Sequence, residues 1–185
     1  MIRKSTLALL GCLAAAILLV APPFARAQAT EATQWHAYES PEGRFKVGFP
    51  GMPVVKRGRI RTDIGDVPST RTSAGEGSDA TYDVTYYDYP KARIASVPPD
   101  KLLGAVRDGL VFQSKGRLVA DRKFVIGKVA GREGEIVGAD GTRYRIKLML
   151  VENRLYQLTA MASPPAAADD KKFFGSFQLT GGPRP

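Results

Sequence analysis

Four segments of alternating apolar and polar residues follow one another with almost nothing between them: Leu118 to Ile126, Arg132 to Gly138, Thr142 to Val151 and Arg154 to Ala162. The connections are Gly127 to Gly131, Ala139 to Gly141 and Glu152-Asn153. A period of two marks strands with one buried face. Connections this short cannot carry a crossover, so successive strands must run antiparallel as hairpins. The second half of the chain is therefore an antiparallel meander.

The first half extends the same pattern. Trp35 to Tyr38 reads as a short strand and Ser40-Pro41-Glu42-Gly43 as a turn. Phe45, Val47 and Phe49 alternate with Lys46 and Gly48, then Pro50-Gly51-Met52-Pro53 stops the strand. Val54 to Tyr89 is β with turns at Asp63 to Asp66 and Gly75 to Asp79, and Ala80, Tyr82, Val84 and Tyr86 alternate with Thr81, Asp83, Thr85 and Tyr87. Pro98-Pro99-Asp100 opens a helix whose core face is Leu103, Val106 and Leu110, with Leu102 beside them. Arg107 and Asp108 are expected on its solvent side, and Gly116 as its stop. Asp169 to Phe174 forms a short last helix anchored by Phe173 and Phe174 and capped by Gly175, and Phe177 with Leu179 re-enters as an extended piece. The expected fold class is α+β: a mainly antiparallel β-sheet with a central helix and a short C-terminal helix. Residues 35–180 make a single domain, between a flexible leader at 28–34 and a disordered tail at 181–185. The chain has 185 residues, enough for one real core.

Residues 1–27 read as a secretory signal peptide. Arg3 and Lys4 form the positive start, Leu7 to Val20 the uncharged apolar run, and Ala25-Arg26-Ala27 the small-residue site before Gln28. A spanning helix needs about 20 apolar residues, and this run is shorter and ends at Pro22-Pro23, so no stable transmembrane anchor is expected. Leu9-Leu10-Gly11-Cys12 resembles a bacterial lipobox, the competing reading. In a lipobox the cysteine closes the apolar stretch, whereas here it continues to Val20. Cleavage near Ala27 removes three basic residues and no acid, taking the formal net charge from +9 to +6, and removes the single cysteine. The expected location is the bacterial periplasm or the exterior. Thiol catalysis, redox dithiols and cysteine metal sites are then excluded in the mature protein.

The order of elements carries a resemblance. Phe45-Lys46-Val47-Gly48-Phe49-Pro50 leads, a central helix follows, and a meander carries Gly131-Arg132-Glu133 and Arg154-Leu155-Tyr156. Phe173-Phe174-Gly175-Ser176-Phe177-Gln178-Leu179 closes the chain. This resembles the PsbP-like superfamily, in particular its small secreted bacterial members of unknown function. The resemblance implies an α/β/α sandwich around an antiparallel sheet and an accessory or interaction role. It supplies no catalytic residues.

The residues give little to catalysis. His36 is the one histidine, beside Trp35 and with no GxSxG in the chain, so a Ser-His-Asp triad has no base in context. One histidine and no mature cysteine do not make a zinc site. Asp79, Asp83 and Asp88 lack calcium-loop spacing and read as surface acids. No phosphate-binding glycine loop precedes a helix. No cofactor, metal or nucleic acid is expected. A cell-envelope hydrolase using scattered carboxylates is the alternative function, and two acids converging in a pocket would favour it.

What remains is positive charge. Arg143, Arg145 and Lys147 form one stripe. A three-residue loop with Gly141 left-handed pairs Gly138 with Thr142, which sets Ile136 opposite Tyr144, Glu135 opposite Arg145 and Glu133 opposite Lys147. That register neutralises the stripe. Lys56, Arg57, Arg59 and Arg61 form another, and no acid lies between Glu42 and Asp63. Arg57, Arg59 and Arg61 sit two apart, so an extended backbone aims all three to one side. They are the candidate anion-binding residues, for an acidic protein or an anionic envelope component. The competing reading is a solvated face kept soluble by charge. The expected function is that of a non-catalytic exported accessory or interaction domain.

Overall fold

Hairpins closed by short loops lay most of the chain out as antiparallel ladders. The computed structural model describes residues 34–62, 65–76 and 80–181. The expected signal peptide with Cys12, residues 28–33 of the expected leader, residues 63–64, residues 77–79 and the chain beyond Gly181 lie outside the described residues. Chain order is β1 (Trp35–Ser40), β2 (Phe45–Pro50), β3 (Val54–Thr62), β4 (Gly65–Glu76), β5 (Ala80–Asp88), α1 (Lys91–Ile94) and α2 (Pro99–Gln113). Then come β6 (Arg117–Ile126), β7 (Val129–Val137), β8 (Arg143–Val151), β9 (Arg154–Ala162), α3 (Asp170–Ser176) and β10 (Gln178–Leu179).

Seven strands form one antiparallel sheet in the order β3-β4-β5-β9-β8-β7-β6. After β5 the chain leaves the sheet through α1 and α2, enters at the far edge as β6, and winds back until β9 pairs with β5. The central helix is thus the connection across the sheet. The first two strands do not join it: β1, β2 and the two-residue β10 make a separate three-stranded sheet.

Register sets the two faces. Tyr82, Val84 and Tyr86 of β5 stand beside Ala160, Leu158 and Tyr156 of β9, and this face packs on Phe45, Val47 and Phe49 of β2 and Phe173 of α3. On the other face Ile136, Ile146, Leu148, Leu150 and Leu155 are covered by Leu103 of α2 and Ile94 of α1, with Val106 and Leu110 alongside. The central strands β5, β8 and β9 are thus covered on both faces, whereas the edge strands β3 and β6 are exposed, and the architecture is α+β as expected.

Three local expectations change. The β6–β7 loop is only Gly127-Lys128, because Gly127 takes the left-handed conformation at φ +60°. Gly131 therefore lies within β7. Helix α2 ends at Gln113, with Lys115 left-handed, and Gly116 serves close approach: a Cβ there would stand 2.3 Å from the Val137 carbonyl oxygen. Gly175 lies inside α3 and Phe177 is its C-cap. The expected β7–β8 register is the observed one, with Glu133 opposite Lys147, Glu135 opposite Arg145 and Ile136 opposite Tyr144. Its loop closes as expected, with Gly141 at φ +84° and Gly138 N–H donating to Thr142 O at 2.8 Å.

Candidate functional site

Strand β3 is exposed from Val54 to Arg61. Its partner β4 lies on one side only, because β3 ends the sheet. Arg57, Arg59 and Arg61 are brought to one face, as the alternation requires. They are not bare of acids. Arg57 Nη2 meets Glu42 Oε2 at 2.7 Å, Arg61 Nε stands 3.7 Å from Asp66 Oδ1, and Arg59 Nη2 donates to the Asp66 carbonyl at 2.9 Å. The hydrogen bond and charge of Arg57 hold the Glu42 carboxyl below its ordinary range.

Sequence spacing put no acid within the strand. Glu42 reaches in from the β1–β2 turn and Asp66 lies opposite Arg61 in the ladder. The arginine side chains stay open to solvent, 66% exposed for Arg57 and 92% for Arg61. Ion pairs that exposed are worth about 0–1 kcal/mol and exchange readily. Lys56, on the opposite face, has no ion pair among the described residues. Four cations thus stand on β3 against two acids.

The second basic stripe is closed off. Glu135 bonds Arg143 at 2.9 Å and Arg145 at 2.7 Å, Arg145 also bonds Asp170 at 2.9 Å, and Glu133 bonds Arg122 at 2.6 Å and stands 3.3 Å from Lys147. Glu133 and Glu135 are therefore accounted for as partners of cations.

The helix-covered face holds groups that the sequence did not single out. Asp83 is buried, 4% exposed, and not a surface acid. Burial pushes its carboxyl up to about 6, against the Arg71 charge and the hydrogen bonds from Thr85 and Arg71. Arg71 Nη2 and Thr85 Oγ1 each donate to it at 3.2 Å. Alongside, Tyr87 Oη donates to Gln157 Oε1, and Gln157 Nε2 donates to Thr159 Oγ1. Burial pushes the Tyr87 phenol up to about 12. The readable signal was matched polarity on two strands: Asp83 faces Thr159 and Thr85 faces Gln157.

Arg107 also leaves its expected place. It is largely buried and bonds Asp121, which with Asp100 also holds Arg132 beneath α2. The helix turns this arginine toward β6 because the Asp121 carboxylate waits there.

Beside that polar patch, the end of α2 leaves a cleft of about 300 Å³ lined by Leu110, Gln113 and Ser114 above Tyr144, Thr159 and Met161. Ile136 and Ile146 complete its floor, and its lining holds no carboxylate. His36 is exposed on β1, and Ser40 Oγ accepts from Gly43 N–H at 3.0 Å within the turn. Asp88 grips Arg154 bidentately at 2.6 and 2.8 Å on the face opposite Asp83, and Asp79 lies outside the described residues. Among the described residues no three of His, Cys, Asp and Glu gather as metal ligands. None of their helices is long and apolar enough to cross a membrane.

No family model matches the sequence, and no curated protein matches it. Among solved structures it is similar to the cyanobacterial PsbP protein CyanoP of Synechocystis sp. PCC 6803. The superposition has a TM-score of 0.53 at 8% identity and covers 85% of this chain and 99% of that one. The fold is PsbP-like. A second similar structure, the Pseudomonas aeruginosa protein of unknown function PA94, covers 70% of this chain and 83% of its own at 11% identity with a TM-score of 0.36. Within this fold, residues that carried the sequence resemblance are structural. Phe45, Phe49 and Phe173 fill one core, and Arg132 lies under α2. Such a likeness establishes architecture and leaves chemistry to the site.

Proposed function

We propose that this chain is an exported, non-catalytic accessory protein that contacts an anionic partner through β3. The observation that carries the reading is the open side of Arg57, Arg59 and Arg61, three guanidinium groups on one face of an exposed edge strand with Lys56 behind them. Guanidinium groups take carboxylates and phosphates bidentately. Contacts of this kind weaken with salt, because exposed charges are screened over about 10 Å at 0.1 M. The n-region, apolar run and Ala25-Arg26-Ala27 support export, with a mature start at Gln28.

The test replaces Arg57, Arg59 and Arg61 together by Gln and measures binding to anionic envelope fractions at low and high salt. Wild type should bind at low salt and release at high salt, and the variant should not bind. Equal binding by both, or none by either, leaves the strand a solubilising face. Mass spectrometry of the exported protein should give an N-terminus at or near Gln28. An intact Met1 or a lipid on Cys12 would overturn cleavage.

A further inference from the structure

We infer that the partner of β3 is an extended acidic peptide segment, which adds to the seven-stranded sheet as an eighth strand with an acid at every second position. This rests on the anion-binding reading of β3 and names its partner class. Three observations carry it.

First, the edge is open and regular. Among the described residues nothing pairs with β3 on the side away from β4, and its ladder to β4 runs unbroken from Val54 to Thr62. The opposite edge of the sheet is different: β6 carries a register shift between Leu118 and Ala120, which leaves Val119 unpaired. A bulge of that kind spoils an edge for further pairing. At about 3.3 Å per residue, the nine residues of β3 offer roughly 30 Å of unbroken template.

Second, the open backbone groups belong to the arginines. Pro68 lies opposite Arg59 in the ladder. Having no amide hydrogen, it can only sit in a non-hydrogen-bonded pair. Alternation then ties Ile60, Gly58 and Lys56 to β4 and turns the N–H and C=O of Arg57, Arg59 and Arg61 outward.

Third, the charge selects the occupant. An incoming strand that bonds to the outward groups of Arg57, Arg59 and Arg61 sets its directly opposed side chains on the arginine face. Acids at those positions replace Glu42 and Asp66, whose exposed pairs exchange readily. The intervening residues stand beside Lys56, Gly58 and Ile60, where Gly58 leaves the neighbouring space almost empty. A second copy of β3 would bring arginines against arginines, which like-charge repulsion opposes.

The probe is a synthetic peptide of alternating Glu and Val, measured against full-length mature protein. Amide hydrogen exchange of Val55, Arg57, Arg59 and Arg61 should slow at least about tenfold on saturation, while Lys56, Gly58 and Ile60 change little. N-methylation of the Glu residues, whose amides face β3, should weaken binding at least about tenfold, since each lost hydrogen bond costs on the order of 1 kcal/mol. N-methylation of the Val residues should be tolerated.

If both methylated peptides bind alike and no alternate protection appears, strand addition is overturned and simple anion contact stands. If phosphatidylglycerol vesicles bind and the peptide does not, the partner is a lipid surface and the inference fails. If neither binds, the inference and the anion-binding reading fail together.

Discussion

A carboxyl group enclosed on a sheet face makes stability depend on pH, and Asp83 is such a group. Its folded value of about 6 stands above the ordinary 3.8. Well below pH 3.8 both the folded and the unfolded chain hold the proton. As pH rises toward 6 the unfolded chain ionises first, so the folded state loses stability. Above 6 the loss is complete. About two pH units at 1.36 kcal/mol each give roughly 3 kcal/mol. Asp83→Asn keeps a neutral group that can still bond Thr85 and Arg71. The stability of wild type relative to this variant, from urea melts, should fall by roughly 2–3 kcal/mol between pH 4 and 7. A difference that stays flat would show the carboxyl to be ordinary. The alternation of Thr81, Asp83, Thr85 and Tyr87 is legible in the sequence and gives the polar face. Its burial is not, because the enclosing Gln157 and Thr159 come from β9, more than seventy residues along the chain.

Hairpins are the elements that sequence reads well when loop and side chains agree. In β7–β8 the left-handed Gly141, the apolar face and the Glu–Lys and Glu–Arg pairs all demand one register. In β6–β7 they do not agree on the surface: Gly131 looks like a loop residue, yet it is a strand residue roofed by the Phe124 ring of its opposed neighbour. A lone glycine in a strand marks such a close approach. A Cβ on Gly131 would lie 2.1 Å from that ring. Gly131→Ala must therefore swing Phe124 outward, away from Lys147, whose Nζ is 5.1 Å from the ring centroid. The expected cost is about 1–3 kcal/mol, as for other overpacked sites, read as a lower urea midpoint with unchanged m-value. An unchanged midpoint would mean that the ring is free to move at no cost. Helix α2 shows the same division. Its apolar stripe and Pro99 start are legible, whereas the turn of Arg107 toward Asp121 depends on a strand that follows it.

At the scale of the whole molecule, the sequence shows an antiparallel protein with one crossing helix. What it hides is that the first two strands leave the main sheet and recruit β10. Gln178 pairs with Lys46, Leu179 with Phe45, and Gly48 N–H donates to Ser176 Oγ at 2.9 Å. No local pattern specifies a pairing 128 residues apart. The aromatic layer between the sheets specifies it instead. Phe173 is fully buried, with ring centroids 5.7 Å from Phe49 and 5.3 Å from Tyr82, while Phe177 stacks 5.7 Å from Phe45. Phe173 is thus the bolt joining α3, the small sheet and the large one. Phe173→Ala should lower stability by about 3–5 kcal/mol, the cost of a large buried aromatic and its cavity. The loss should appear in a single transition. Strands β5, β8 and β9 contribute to both cores, so neither face can melt while the other holds its strands straight. Guanidinium melts followed by Trp35 fluorescence on the small sheet and by far-ultraviolet circular dichroism on the whole should coincide in the variant as in wild type. Two separated transitions would show that the small sheet and α3 are an attachment to an independently stable seven-stranded sheet, and the shared-strand argument would fall.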